Sequence, residues 1–239
     1  MNQEAHRRGV LLFCTFPVPG LPMRAKRDKM FEFILKDLDD AELLLDGLSV
    51  KKTIPSKAVV YGLKARAYLW LGGFDSSNYA KAAEFARKAI DASGASIMTE
   101  AQWLDPTSGF NTPNNSWMWF VPQSSEGVTN LVNYVAWRSC EATWGYGSQV
   151  FYGISKATFE KISQNDWRRN SWIAPERTHN YKTNMAAGKA FIDELPDYCN
   201  LKFRPMSGET IDQKTGGATY IPLMRVEEMY LIEAEATAK

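Results

Sequence analysis

The 239-residue sequence contains only 2 histidines and 3 cysteines. His6 and His179 are far apart, and no His-x-x-x-His or Cys-His pair offers a metal site. Cys14, Cys140 and Cys199 are too widely spaced for a Cys-x-x-Cys pair, and an odd number cannot close a complete disulfide framework. No Gly-x-Ser-x-Gly, phosphate loop or dinucleotide fingerprint occurs either. An excess of one charge is also missing: 28 Lys and Arg stand against 27 Asp and Glu. A net charge of +1 provides no general field for gathering nucleic-acid phosphates or an anionic membrane. No uninterrupted apolar run is longer than that from Val10 to Cys14, which is far shorter than the roughly 20 residues of a membrane helix. Arg7-Arg8 before that run only loosely imitates a secretion signal, because bulky Phe13 precedes the cysteine where a small residue is required.

The composition itself, 45% hydrophobic and 23% charged, is that of a folded globular chain. Helical signals dominate its first third. Phe31, Ile34, Leu38, Ala41 and Leu45 recur at steps of three and four, which predicts a helix over 26–45 ending at Gly47. Ser56 after Pro55 predicts the cap of a second helix, which stops at Gly72-Gly73. A third is expected over 79–92, capped by Ser77 or Asn78 and closed by Gly94. Its small residues Ala82, Ala83, Ala86 and Ala89 allow another helix to approach closely. The second and third helices together read as one tetratricopeptide-like hairpin.

Beyond Gly94 the composition changes. Seven of the eight tryptophans fall between residues 103 and 172, a stretch with only ten charged residues and many turn-forming Pro, Gly and Asn. Within it, Trp117-Met118-Trp119-Phe120 predicts a buried strand. Ser155 predicts the cap of a short helix over 156–163 with Phe159 and Ile162 inward. Residues 173–220 read as extended segments and turns. The chain then finishes in a helix over 226–239, with Glu227 and Glu228 favourably placed near its N-terminal dipole. The apolar face expected for that helix is Val226, Met229, Tyr230 and Ala234, with no partner following in sequence.

Residues 221–236, Ile221-Pro222-Leu223-Met224-Arg225-Val226-Glu227-Glu228-Met229-Tyr230-Leu231-Ile232-Glu233-Ala234-Glu235-Ala236, resemble the signature near the C-terminal end of SusD/RagB-type outer-membrane nutrient-binding lipoproteins. The hairpin from Lys57 to Ile90, Asp166-Trp167-Arg168-Arg169 and Leu201-Lys202-Phe203-Arg204-Pro205 stand in that family's order. Asp37-Leu38-Asp39-Asp40-Ala41 is similar to the helix leading into its hairpin. The resemblance spans residues 24–239 and implies a mainly α, SusD-like fold with tetratricopeptide-like helical hairpins, a large loop-rich insertion and little strand. It divides the chain into an N-terminal segment (1–23), a helical scaffold (24–94), a loop-rich ligand-binding region (95–220) and the start of a C-terminal helical repeat (221–239). Family members are longer, so an internal to C-terminal piece is expected. The resemblance further implies a cell-surface protein that captures polysaccharide or oligosaccharide without transforming it and delivers it to a SusC-like TonB-dependent outer-membrane transporter. No cofactor or metal is implied.

The residue types agree with capture of a neutral ligand. An aromatic face stacks on the apolar face of a sugar ring and leaves its hydroxyls free for hydrogen bonding. Tyr134, Trp137, Trp144 and Tyr146 are the expected platforms, and Arg138 and Gln149 the expected polar contacts. Gly145 and Gly147 are expected to expose Trp144 and Tyr146 on a turn. Packing is the competing role for each ring. Asp166 with Arg168 and Arg169 reads as an internal ion pair or a cap rather than an anion clamp. Glu228 and Glu235 lie about 10.5 Å apart along a helix axis, beyond the roughly 5–9.5 Å used by paired glycosidase carboxylates. Two other readings remain open: a tetratricopeptide-like protein-interaction scaffold without glycan binding, and a glycan hydrolase whose carboxylates converge only on folding.

Overall fold

A computed structural model describes residues 27–108, 110–124, 126, 133–176 and 195–239. The expected N-terminal segment 1–23, with His6 and Cys14, lies outside the described residues, as does His179. The chain divides into two compact units. One contains the described residues up to Val50, Ser56–Ala92 and Met229–Lys239; the other contains Lys51–Pro55 and Ser93–Glu228. The fold is mainly helical, and the described strands form one two-stranded sheet.

The first unit is built from amphipathic helices. Helix α1, Arg27–Leu44, turns Phe31 towards α2, Lys57–Gly72, where its ring stacks on Trp70 with centroids 4.7 Å apart. Lys64 of α2 is buried, and its ammonium lies 2.7 Å from Asp39 and 2.5 Å from Glu42 of α1. Burial disfavours that ammonium, but the two carboxylates outweigh burial and hold its pKa above the ordinary lysine value. Ser56 occupies the expected N-cap position with extended backbone, yet its hydroxyl makes no capping hydrogen bond. Helix α3, Ser77–Ser93, begins two residues before the predicted start because the Asp75 carboxylate accepts the Ser77 N–H at 3.0 Å. Its Ala82, Ala86, Ala89 and Ile90 are buried, and Phe85 stacks on Tyr68 of α2 at 5.5 Å.

The terminal part of the last helix departs from expectation. Its buried residues are Met229, Ile232 and Ala236, whereas Tyr230 and Ala234 are exposed. Steps of four from Val226 and steps of three both trace a row on a helix surface, and periodicity alone does not select between them. Packing selects the latter. It also gives the face a partner within its unit, because the Arg87 guanidinium of α3 grips the Glu233 carboxylate at 2.9 and 2.5 Å.

In the second unit, Thr99 opens the short helix α4, Glu100–Trp103, with a reciprocal cap through Gln102. Strand β1, Trp117–Pro122, pairs antiparallel with β2, Tyr220–Arg225, through Trp117 opposite Arg225, Phe120 opposite Pro222 and Pro122 opposite Tyr220. Met118 sits at an irregularity in this register. In a two-stranded ribbon both strands are edges, so Pro122 and Pro222 are accommodated. Trp117 and Met118 are buried, in agreement with the expected strand. β2 leads directly into the last helix, Val226–Ala238, which starts at the expected Val226.

The remaining short helices α5, Tyr134–Arg138, α6, Gly147–Val150, α7, Lys156–Phe159, and α8, Gln213–Gly216, are separated by turns. Ser155 caps α7 as expected, accepting the Thr158 N–H, and Phe159 is buried. Asp166 likewise caps the 3-10 helix Trp167–Ser171 and holds Arg168, while Arg169 lies over the Phe159 ring at 3.8 Å. This cluster is the structural ion pair and cap that its residue types predict. No helix among the described residues is long and apolar enough to cross a membrane.

Candidate ligand-binding surface

The candidate surface grows from two very short helices whose backbones touch. Asn133 caps α5 by accepting the Ala136 N–H at 3.0 Å, which sends Val135 and Ala136 inward and Trp137 and Arg138 outward. At Ser139 the backbone turns extended, and the Ser139 hydroxyl accepts the N–H groups of Glu141 and Ala142 at 3.2 Å. The Thr143 N–H and hydroxyl both donate to the Thr210 carbonyl, at 3.0 and 2.7 Å. The chain then returns through Gly145 and Gly147 to α6.

These two glycines are needed for close approach. A Cβ at Gly145 would lie 2.7 Å from the Ala136 carbonyl oxygen, and one at Gly147 would lie 2.4 Å from that of Ser139. Only hydrogen fits at either position without displacing backbone. The approach brings Trp137 of α5 beside Tyr146, the residue capping α6. Their rings stack at 4.8 Å between centroids with 28° between planes, and each residue is 49% exposed. A stacked pair of this kind is a broad, prearranged aromatic surface that is open to a ligand. Arg138 is exposed and lies over Tyr152, 4.8 Å from its ring centroid; Gln149 is exposed on α6.

The structure therefore stacks Trp137 on Tyr146 and leaves Arg138 and Gln149 exposed on the same two short helices, while Tyr134 and Trp144 are directed elsewhere. Tyr134 donates its hydroxyl to the Phe110 carbonyl and packs edge-on against Phe203. Burial pushes its phenol pKa well above the ordinary tyrosine value. Trp144 is half-buried against the Val135, Ala142 and Ala218 cluster, and a Cβ on Gly216 would touch its indole. The expected exposure of Trp144 is thus corrected. Gly145 serves contact with the α5 backbone and turns its preceding neighbour inward, while Tyr146 alone of the two faces out.

Tyr152, 39% exposed beneath Arg138, joins the surface without having been selected from sequence. The available signal was the Phe151-Tyr152 pair just after Gly147–Val150, but Phe151 adopts a left-handed conformation at φ 52° that no local pattern announces. Behind the surface, Glu141 and Arg204 form a fully buried ion pair at 3.3 Å. Burial raises the Glu141 carboxyl pKa, an effect that the Arg204 charge opposes. The pair anchors the turn that follows Ser139 to the 201–205 segment, where the Arg204 Nε–H also donates to the Leu201 carbonyl at 3.0 Å. Glu227 is engaged structurally, accepting the Met98 N–H and pairing with Arg225 at 3.0 Å.

No family model matches the chain, and no curated protein matches it. Solved structures do. A SusD-like carbohydrate binding protein from Bacteroides vulgatus aligns with a TM-score of 0.59 at 20% identity, covering 88% of this chain and 39% of that one. A SusD superfamily protein from Bacteroides thetaiotaomicron aligns with a TM-score of 0.58 at 16% identity, covering 92% and 46%. Surface glycan-binding protein A from Bacteroides thetaiotaomicron gives 0.55 at 16% identity, covering 88% and 50%. The chain thus spans half or less of the length of each of these solved structures. The helical unit, the aromatic loop-rich unit and these alignments together establish that the chain has the SusD-like fold.

Proposed function

We propose that this chain binds polysaccharide or oligosaccharide without chemically transforming it, through Trp137, Tyr146, Arg138 and Gln149. The observation that carries the reading is the half-exposed Trp137–Tyr146 stack in a segment poor in charge. Stacked aromatic faces complement the C–H face of a pyranose, and guanidinium and amide groups complement its hydroxyls. Support from outside the chain is the SusD-like fold, shared with proteins described as carbohydrate binding and surface glycan-binding. In this reading the protein acts at the outer-membrane surface, as a lipoprotein serving polysaccharide utilisation, and passes its glycan to a SusC-like TonB-dependent transporter.

The test is titration of the chain with a panel of soluble polysaccharides, followed by tryptophan fluorescence and calorimetry. Wild-type protein is expected to bind one glycan class saturably. Trp137→Ala and Tyr146→Ala are each expected to weaken binding by about tenfold, or about 1.4 kcal/mol, with the circular-dichroism spectrum unchanged. No reducing ends are expected to appear. Well-folded protein that binds none of the panel but binds a SusC-like transporter would replace glycan capture with the scaffold reading, and release of reducing ends would replace it with the hydrolase reading.

A further inference from the structure

Cys140 and Cys199 are 59 positions apart in sequence but share one small buried cluster with Ile173, Leu195 and Leu201. Both are free thiols. The backbone aligns them. Gly153 forms an antiparallel bridge with Cys199, and the Tyr152 carbonyl accepts the Asn200 N–H at 2.9 Å. That same carbonyl accepts the Cys140 thiol at 3.5 Å, which places the Cys140 sulfur beside the bridge that joins Gly153 to Cys199. A Cβ at Gly153 would lie 2.6 Å from the Tyr198 carbonyl, so the two segments are in tight contact.

We propose that Cys140 and Cys199 form a disulfide when the chain folds in an oxidising compartment, stapling the segment behind the Trp137–Tyr146 surface to the 195–201 segment. The oxidant is a disulfide of the thiol-exchange class, either a protein dithiol oxidase or oxidised glutathione. The Cys140 thiolate attacks one sulfur of the oxidant, and the other leaves as a thiol once protonated. The Cys199 thiolate then attacks the Cys140 sulfur, which forms the Cys140–Cys199 bond and expels the second oxidant thiol. Two protein thiols lose two electrons, the oxidant disulfide gains them, and the two protons end on the oxidant's sulfurs. Both sulfurs are buried in the finished fold, so exchange takes place before this cluster closes.

The experiment is refolding of the wild-type chain with reduced and oxidised glutathione, alkylation of remaining thiols, and peptide mapping without reduction. The expected product is a peptide pair joined through Cys140 and Cys199, with Cys14 alkylated. The bond closes a loop of about 60 residues, so reduction is expected to lower the thermal midpoint by about 10 °C. Cys140→Ala/Cys199→Ala is expected to show no such response. Separate alkylation of Cys140 and Cys199 after oxidative folding, or linkage of either to Cys14, overturns the proposal. Glycan titration is a separate readout, so failure here leaves the binding reading standing and the reverse also holds.

Discussion

Replacing one hydrogen by a methyl group at Gly147 isolates the contact that builds the aromatic surface. The new Cβ would stand 2.4 Å from the Ser139 carbonyl oxygen, 2.9 Å from its nitrogen and 3.0 Å from its carbonyl carbon. Ordinary contacts begin near 3.5 Å, so α6 must retreat by about 1 Å from the end of α5. The obstacle is backbone on both sides, which cannot swing away as a flexible side chain would. Overpacking of this type costs about 1–3 kcal/mol, which for a chain of this size corresponds to a midpoint lowered by about 2–12 °C. The same retreat opens the Trp137–Tyr146 stack beyond its 4.8 Å separation, and a gap of 0.5–1 Å forfeits about a quarter to a half of the dispersion energy at each contact. Gly147→Ala is therefore expected to lower both the thermal midpoint and the affinity for glycan, although Gly147 itself contributes no side chain. Gly73→Ala is the control, because its Cβ would meet nothing closer than the Trp70 carbonyl at 3.4 Å and its φ of −65° suits alanine. Calorimetric unfolding and glycan titration of the two variants provide the assay. A Gly147→Ala protein with unchanged midpoint and unchanged affinity would refute the claim that backbone contact sets the stack.

Two further perturbations probe the second unit. Arg204→Met leaves the buried Glu141 carboxylate without its cation, and urea unfolding is expected to show a loss of about 3–5 kcal/mol, whereas Glu141→Leu/Arg204→Met is expected to lose less; a single-variant loss below about 1 kcal/mol contradicts the pairing at 3.3 Å. Lys202 sits among the Trp103, Phe110 and Phe203 rings, and burial, reinforced by Arg225, lowers its pKa to about 8. Its folded value is below its unfolded value, so the folded state gains stability as pH rises from about 8 to about 10.5 by about 2–3 kcal/mol. Lys202→Met is expected to remove that rise, and identical pH profiles for the two proteins would refute it.

Local chemistry made the helical part of this fold readable. The Phe31, Ile34, Leu38 and Ala41 stripe, the Ala-rich face of α3 and the Ser155 cap depend on neighbours within four residues, and the structure contains all of them. The buried character of Trp117-Met118 was equally legible, because an apolar run bounded by turns must leave water. Its partner was not. Tyr220–Arg225 lies about a hundred residues away, carries a proline and merges into a helix-forming segment, so pairing depends on where the intervening chain brings it. The direction of the last helix was undecided for a related reason: both rows are apolar, and packing buries Met229, Ile232 and Ala236.

The candidate surface divides in the same way. Aromatic enrichment and scarcity of charge between residues 103 and 172 marked the region, but whether each ring covers the core or faces solvent is a question of contacts distant in sequence. Tyr134 found the Phe110 carbonyl and Trp144 found Ala218 and Gly216, while the Gly145 and Gly147 contacts with α5 left Trp137 and Tyr146 stacked outside. Composition established which residues were available for burial or recognition. Only tertiary packing assigned each to one or the other, because a flat aromatic ring gains from burial against protein as it does from contact with a ligand.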